Sequence, residues 1–175
     1  MTEDPSNIVL IGMPGSGKST VGVMLAKLTS RNFIDTDVLI QASRGLSLQD
    51  IVDRSGYLAL RAIEEGVILK SDCHHCVIAT GGSAVYSPAA MSHLKSDGII
   101  VFLDVDLRTL EARVHDFAAR GIAKRPDQSV ADLFTERFAL YTRYADVIVA
   151  CSDCTHEEVC EKIIQELKTG DRAGL

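Results

Sequence analysis

The chain alternates short apolar runs with longer stretches in which apolar residues recur three and four positions apart. Ile8–Ile11, Asn32–Asp35, Val77–Thr80, Ile99–Leu103 and Val147–Ala150 are brief and mostly rich in Val and Ile, which predicts strands. Helical spacing lies between them, as at Val21, Met24, Leu25 and Leu28. Apolar strands separated by helices predict an α/β fold: a five-stranded parallel sheet covered by helices on both faces, with right-handed crossovers. There are no repeats and no low-complexity linkers, so residues 1–175 read as one domain. Segment 118–127 interrupts the helical pattern with Arg120, Gly121, Lys124, Arg125, Pro126 and Asp127, which predicts a mobile surface loop. Residues 169–175 read as a disordered tail.

Chemistry enters where the first strand ends. Gly12-Met13-Pro14-Gly15-Ser16-Gly17-Lys18-Ser19-Thr20 stands between an apolar run and a helical pattern, the context a phosphate-binding P-loop requires. Backbone N–H groups of Gly15, Ser16 and Gly17 would face a polyphosphate that side chains would block. A helix N-terminus near Lys18 adds positive field. Lys18 would reach the β- and γ-phosphates, and the Ser19 hydroxyl would ligate Mg²⁺. The motif implies binding of ATP or GTP; no Asn-Lys-x-Asp guanine-reading motif occurs.

Other strand ends add candidates, because ligands bind at the carboxyl edge of such a sheet. Asp35-Thr36-Asp37 closes the second strand. Residues two apart on a strand share a face, so both carboxylates would flank the P-loop; the alternative is a pair of helix-capping acids. Ala79-Thr80-Gly81-Gly82-Ser83 closes the third, where Gly81 and Gly82 would admit a ligand close to the backbone or make a tight turn. Arg61 and Glu64 lie three apart on a helical pattern. They form either a surface ion pair or a guanidinium aimed at a substrate carboxylate and oriented by Glu64. Arg137 is either a second carboxylate anchor or a solvated helix charge.

Composition narrows the class. Apolar residues make up 46% and charged residues 24%, which suits a globular chain with its own core. A net charge of −6 argues against a nucleic-acid partner. No apolar run approaches a membrane span, and Met-Thr-Glu-Asp-Pro lacks a signal-peptide pattern, so a cytoplasmic protein without a membrane partner is expected. Cys73-His74-His75-Cys76 and Cys151-Ser152-Asp153-Cys154 have zinc-ligand spacing. Cys76 opens one strand and Cys151 closes another, roughly 15 Å apart along a parallel sheet, so reduced thiols are the preferred reading.

Taken in order, IGMPGSGKST, FIDTD, SLQDIVDRSGYLALRAIEE, IATGGSAV and ERFALYTRYADVIV resemble the shikimate kinases, from about Asn7 to Ala150. The P-loop alone is generic; the ordered set is specific. The resemblance implies a P-loop kinase with a mobile lid that phosphorylates the 3-hydroxyl of shikimate, in aromatic amino acid biosynthesis, using ATP and Mg²⁺. A monomer is expected. Residue by residue, Gly15 to Thr20 and Arg113 would hold nucleotide, and Ser19 and Asp35 the metal. Asp37 would be the candidate base, and Lys18 would serve the transferring phosphoryl group. Asp37, Arg61, Gly81, Gly82 and Arg137 would hold the acceptor. A lid arginine, Arg120 or Arg125, would close over the phosphates; Arg125 also follows from the Arg-Pro pair of family lids, although here Asp127 and Gln128 come next. Ser83 replaces the family's third glycine, and Val52 and Leu60 fall where two phenylalanines stand. The alternatives are the same transfer to another small hydroxy acid, such as gluconate or homoserine, and a non-catalytic nucleotide-dependent binding module.

Overall fold

The computed structural model describes residues 5–114 and 120–170. Five strands form one sheet: β1 (Asn7–Ile11), β2 (Asn32–Asp35), β3 (Cys76–Ala79), β4 (Gly98–Asp104) and β5 (Val147–Ala150). All neighbours are parallel, in the order β2-β3-β1-β4-β5. Every residue of β1 and β3 is buried, which requires cover on both faces of the sheet. β1 and β4 are longer at their starts than the apolar runs suggest, because Asn7 pairs in register with Gly98. Thr80 lies just past β3, where its N–H and hydroxyl both donate to the Leu10 carbonyl.

Eight α-helices cover the sheet among the described residues: α1 (Lys18–Thr29), α2 (Thr36–Arg44), α3 (Leu48–Ser55), α4 (Tyr57–Leu69), α5 (Pro88–Ser96), α6 (Leu107–Arg113), α7 (Val130–Tyr144) and α8 (His156–Gly170). On α1 the buried face is Val21, Gly22, Leu25 and Ala26, while Leu28 is exposed. Gly22 explains the shift: a Cβ there would stand 2.5 Å from the Phe33 ring, so α1 lies close to β2 along that line. The stretch from Ser47 to Glu65 belongs to two helices. A Ser47–Asp50 capping box starts α3, and Gly56, at φ +84°, separates it from α4.

Ile40, Ile51, Leu60 and Ala123 form a small apolar cluster apart from the main core, with Val52 packed against it. Ala123 belongs to the segment expected as a surface loop, and Ile122 and Ala123 are buried. The Gly121 N–H donates to Gln49 Oε1 at 2.8 Å. So part of segment 118–127 packs inward against α3 and α4; residues 118 and 119 lie outside the described residues. The expected tail is helical at Thr169 and Gly170, where α8 ends, and its remainder, 171–175, lies outside the described residues. No helix among the described residues is long and apolar enough to cross a membrane. Cys76 begins β3 and Cys151 follows the end of β5, with β1 and β4 between those strands.

Candidate active site

β1 is central, and the chain moves to one side of it through β2 and β3 and to the other through β4. Its carboxyl end is thus a switch point, where a crevice opens. A cleft of about 560 Å³ opens there, beside the loop between β1 and α1. Gly15, Gly17, Lys18, Ser19, Thr20, Asp37, Gly81, Gly82, Arg113, Arg120 and Arg137 all line it. The sequence-predicted candidates from six separate stretches therefore meet in one cavity.

The loop's backbone is shaped by glycine. Gly15 has φ +84°, and a Cβ there would run into the Val114 side chain. Ser16 is buried, and its N–H donates to the Met13 carbonyl. Lys18 opens α1, and its Nζ donates to the carbonyls of Gly12 at 2.8 Å and Met13 at 2.9 Å. Burial pushes its pKa down to about 8, against the pull of Asp37.

Asp35 combines the two roles that the sequence left as alternatives. Its Oδ1 accepts from the N–H groups of Asp37 and Val38, capping α2, and its Oδ2 accepts from the Ser19 hydroxyl at 2.5 Å. Asp37 is not on the strand beside it but in the first turn of α2. Burial raises the Asp37 pKa, Lys18 opposes the rise, and Asp35 adds to it. Thr36, between them, accepts from the Gly81 N–H at 2.9 Å and so ties α2 to the turn after β3.

That turn needs its glycines for closeness. A Cβ on Gly81 would strike Glu64 Oε1, and one on Gly82 would stand 2.6 Å from Arg137 Nη1. The Tyr141 hydroxyl donates to the Gly82 carbonyl at 2.7 Å and fixes its direction.

Arg137 is 1% exposed yet lines the cleft, so it is not a solvated helix charge. Its Nη2 donates to the Ala123 carbonyl at 2.9 Å, and its Nε has no hydrogen-bond partner. Arg61 differs from the expectation in two respects. It lies beside the cleft without lining it, and Glu64 does not orient it. The Arg61 guanidinium stacks on Tyr86, 3.5 Å from the ring centroid, and donates to the same Ala123 carbonyl at 3.3 Å. Glu64 instead accepts from the Ser83 hydroxyl. Three residues apart on a helix are neighbours only if their side chains turn the same way, and burial turns Glu64 inward.

The lid arginines separate. Arg120 lines the cleft with Arg113. Arg125 does not; it pairs with Glu136 at 3.2 Å.

The family model described as shikimate kinase matches residues 14–168. A shikimate kinase of Caldanaerobacter subterraneus subsp. tengcongensis is 35% identical over 162 residues, 91% of this chain and 94% of that protein. The chain belongs to the shikimate kinase family. Two solved shikimate kinases have similar folds. That of Acinetobacter baumannii, in complex with shikimate, superposes with a TM-score of 0.87 at 28% identity, over 97% of this chain and 96% of the other. That of Aquifex aeolicus gives 0.80 at 34% identity, over 94% and 98%.

Within this shikimate kinase family member, three site features escape a reading of the sequence. Tyr86, which carries the Arg61 stack, has no distinguishing neighbours in the sequence. Gln49 lines the cleft on α3 and holds Gly121. Tyr141 had a signal, since it lies four residues after Arg137 on the same helix face.

Proposed function

We propose that this shikimate kinase family member transfers the γ-phosphoryl group of ATP to the 3-hydroxyl of shikimate, forming 3-phosphoshikimate and ADP. One observation carries the reading: the P-loop lysine, the half-buried Asp37 carboxylate and a buried guanidinium share one cleft. The first suits a polyphosphate, the second a hydroxyl, and the third a carboxylate.

The N–H groups of Gly15 and Gly17 and the start of α1 would hold the phosphates, with Lys18 neutralising charge on the transferring group; Ser16 departs from the expectation, since its N–H already donates to the Met13 carbonyl. Thr20 and Arg113 border the nucleotide end. Ser19 and Asp35 fit a divalent cation, since a hydroxyl and a carboxylate oxygen, 2.5 Å apart, are hard donors. Mg²⁺ held by these two residues would supply positive charge to offset that of the phosphates. Asp37 accepts the proton of the attacked hydroxyl, and its raised pKa suits it to do so. Arg137 binds the acceptor carboxylate with Arg61 at its side, and the Gly82 backbone and Gly81 border the ring. Arg120, not Arg125, closes over the phosphates. Segment 118–127 acts as the lid, excluding water from the γ-phosphate.

An acceptor panel with coupled ADP detection tests the assignment. Shikimate should support turnover, with gluconate and homoserine orders of magnitude slower. Turnover with either and not with shikimate would replace the acceptor, and ADP release with none would leave a nucleotide-binding module. The reading carries a single catalytic unit spanning the chain, monomeric and cytoplasmic, without nucleic-acid or membrane partners. Light scattering should return one chain's mass, 18.9 kDa.

A further inference from the structure

Glu64 is the buried carboxylate that the scheme above leaves unused. It sits on α4 and is 3% exposed. Its Oε2 accepts from the Ser83 hydroxyl. Its Oε1 is buried and has no hydrogen-bond partner. A buried carboxylate oxygen left unpaired is costly, so this one calls for an occupant. Glu64 and Ser83 both line the cleft, together with Asp37 and Gly81. A Cβ placed on Gly81 would strike Glu64 Oε1 and lie 2.8 Å from Asp37 Oδ1, so the two carboxylates flank one small space above that glycine. Two acceptor oxygens side by side suit neighbouring hydroxyls of one ring, each hydroxyl donating to one carboxylate. Ser83 is not there for the turn: at φ −98° and ψ 0° its backbone makes no special demand.

We propose that Ser83 is a positioning residue for the acceptor site: its hydroxyl holds Glu64 by one oxygen and leaves Oε1 turned to the cleft, where it receives a ring hydroxyl beside the one that Asp37 receives. This rests on the reading of the acceptor as a ring bearing hydroxyls and a carboxylate. Glu64 accepts best when ionised. Burial pushes its pKa up to about 7; the Ser83 hydrogen bond holds it down, Asp37 on α2 pushes it up, and Arg137 on α7 and Lys18 on α1 pull it down. Loss of the Ser83 hydroxyl therefore raises it further.

The test is steady-state kinetics of the whole chain and of Ser83→Ala, Ser83→Thr and Glu64→Gln. The acceptors are shikimate and its analogues lacking the 4- or the 5-hydroxyl. Ser83→Ala should raise the KM for shikimate about fivefold, the scale of one hydrogen bond, with kcat within about twofold and the KM for ATP unmoved. The acid limb of kcat/KM should move to higher pH in Ser83→Ala, fall to lower pH in Glu64→Gln, where Asp37 alone sets it, and return towards its place in Ser83→Thr. One deoxy analogue should bind the parent protein as weakly as shikimate binds Ser83→Ala, and should lose nothing more in that variant. The proposal is overturned if Ser83→Ala matches the parent on shikimate, if both deoxy analogues lose equally, or if the ATP KM rises in step. No turnover of shikimate by the parent protein overturns the acceptor reading itself, a result seen before any variant is made.

Discussion

The two arginines assigned to the acceptor carboxylate are not equivalent, and their difference is the sharpest prediction of this structure. Arg137 is buried, lines the cleft and keeps its Nε unpartnered. Arg61 is half-buried, lies outside the lining and already leans on Tyr86. A hydrogen bond to a charged group is worth about 1.5–3 kcal/mol, at the upper end where both partners are desolvated. Replacing Arg137 should therefore cost about 3 kcal/mol of acceptor binding, roughly 150-fold in KM, and replacing Arg61 about 1.5, roughly tenfold. Methionine is the better substitute than alanine, because its unbranched chain keeps the packing beside Tyr141. The assay is initial rate against acceptor concentration at saturating ATP, repeated against ATP at saturating acceptor. Arg137→Met should leave the ATP KM within about threefold. A melting curve shows that the fold survives. Equal effects of Arg61→Met and Arg137→Met would refute the argument from burial. Equal turnover of an acceptor with a hydroxymethyl group in place of its carboxylate would refute the carboxylate role of both.

Four further outcomes are expected. Lys18→Met should lower turnover about 10²-fold or more with the fold intact, and near-normal turnover would sink the P-loop mechanism. Because the free Lys18 titrates near 8 and bound phosphates favour its charged form, nucleotide affinity measured by calorimetry should weaken as pH rises past 8, and flatten in Lys18→Arg. Asp37→Asn should cut kcat by about 10²–10⁴; a loss under about tenfold would make Asp37 a positioning group only. Arg120→Ala should cost far more turnover than Arg125→Ala, whose partner is Glu136; the reverse ranking would reassign the lid arginine.

Much of this was legible beforehand because the signals were local. Strand β2 and strand β5 fall on the residues their apolar runs mark, and the P-loop carries its own context on both flanks. What escaped was whatever depends on how side chains turn after packing. Arg61 and Glu64 satisfy an i, i+3 rule on paper, yet one stacks outward on Tyr86 and the other turns in to Ser83. Asp35 and Asp37 obey strand alternation only if the strand continues, and it stops at Asp35 because that carboxylate caps α2. Segment 118–127 reads as surface from its charges. Gly121 presses against the backbone of Leu48 and Gln49, a long-range contact that no local pattern encodes.

The charges of the cleft explain why the peripheral arginines matter. Lys18, Asp37, Glu64 and Arg137 come from four different helices, α1, α2, α4 and α7, and face one another in a largely buried space. Any one of them buried alone would cost several kcal/mol, and each carboxylate here lowers the cost of the nearby lysine. With all four ionised, two positive and two negative charges cancel. A polyphosphate and an acceptor carboxylate then bring an excess of negative charge that these four groups cannot offset. In the proposed scheme the remainder would fall to groups at the rim: Arg113 and Arg120, Arg61 beside Arg137, and a cation if Ser19 and Asp35 hold one. Arg61 and Arg137 both donate to the Ala123 carbonyl, three residues after Arg120 in the same segment. The carboxylate end of the acceptor is therefore linked through three residues of backbone to the arginine that would meet the phosphates. A chain with a net charge of −6 binds anions here because its folding gathers a few cations around a neutral centre.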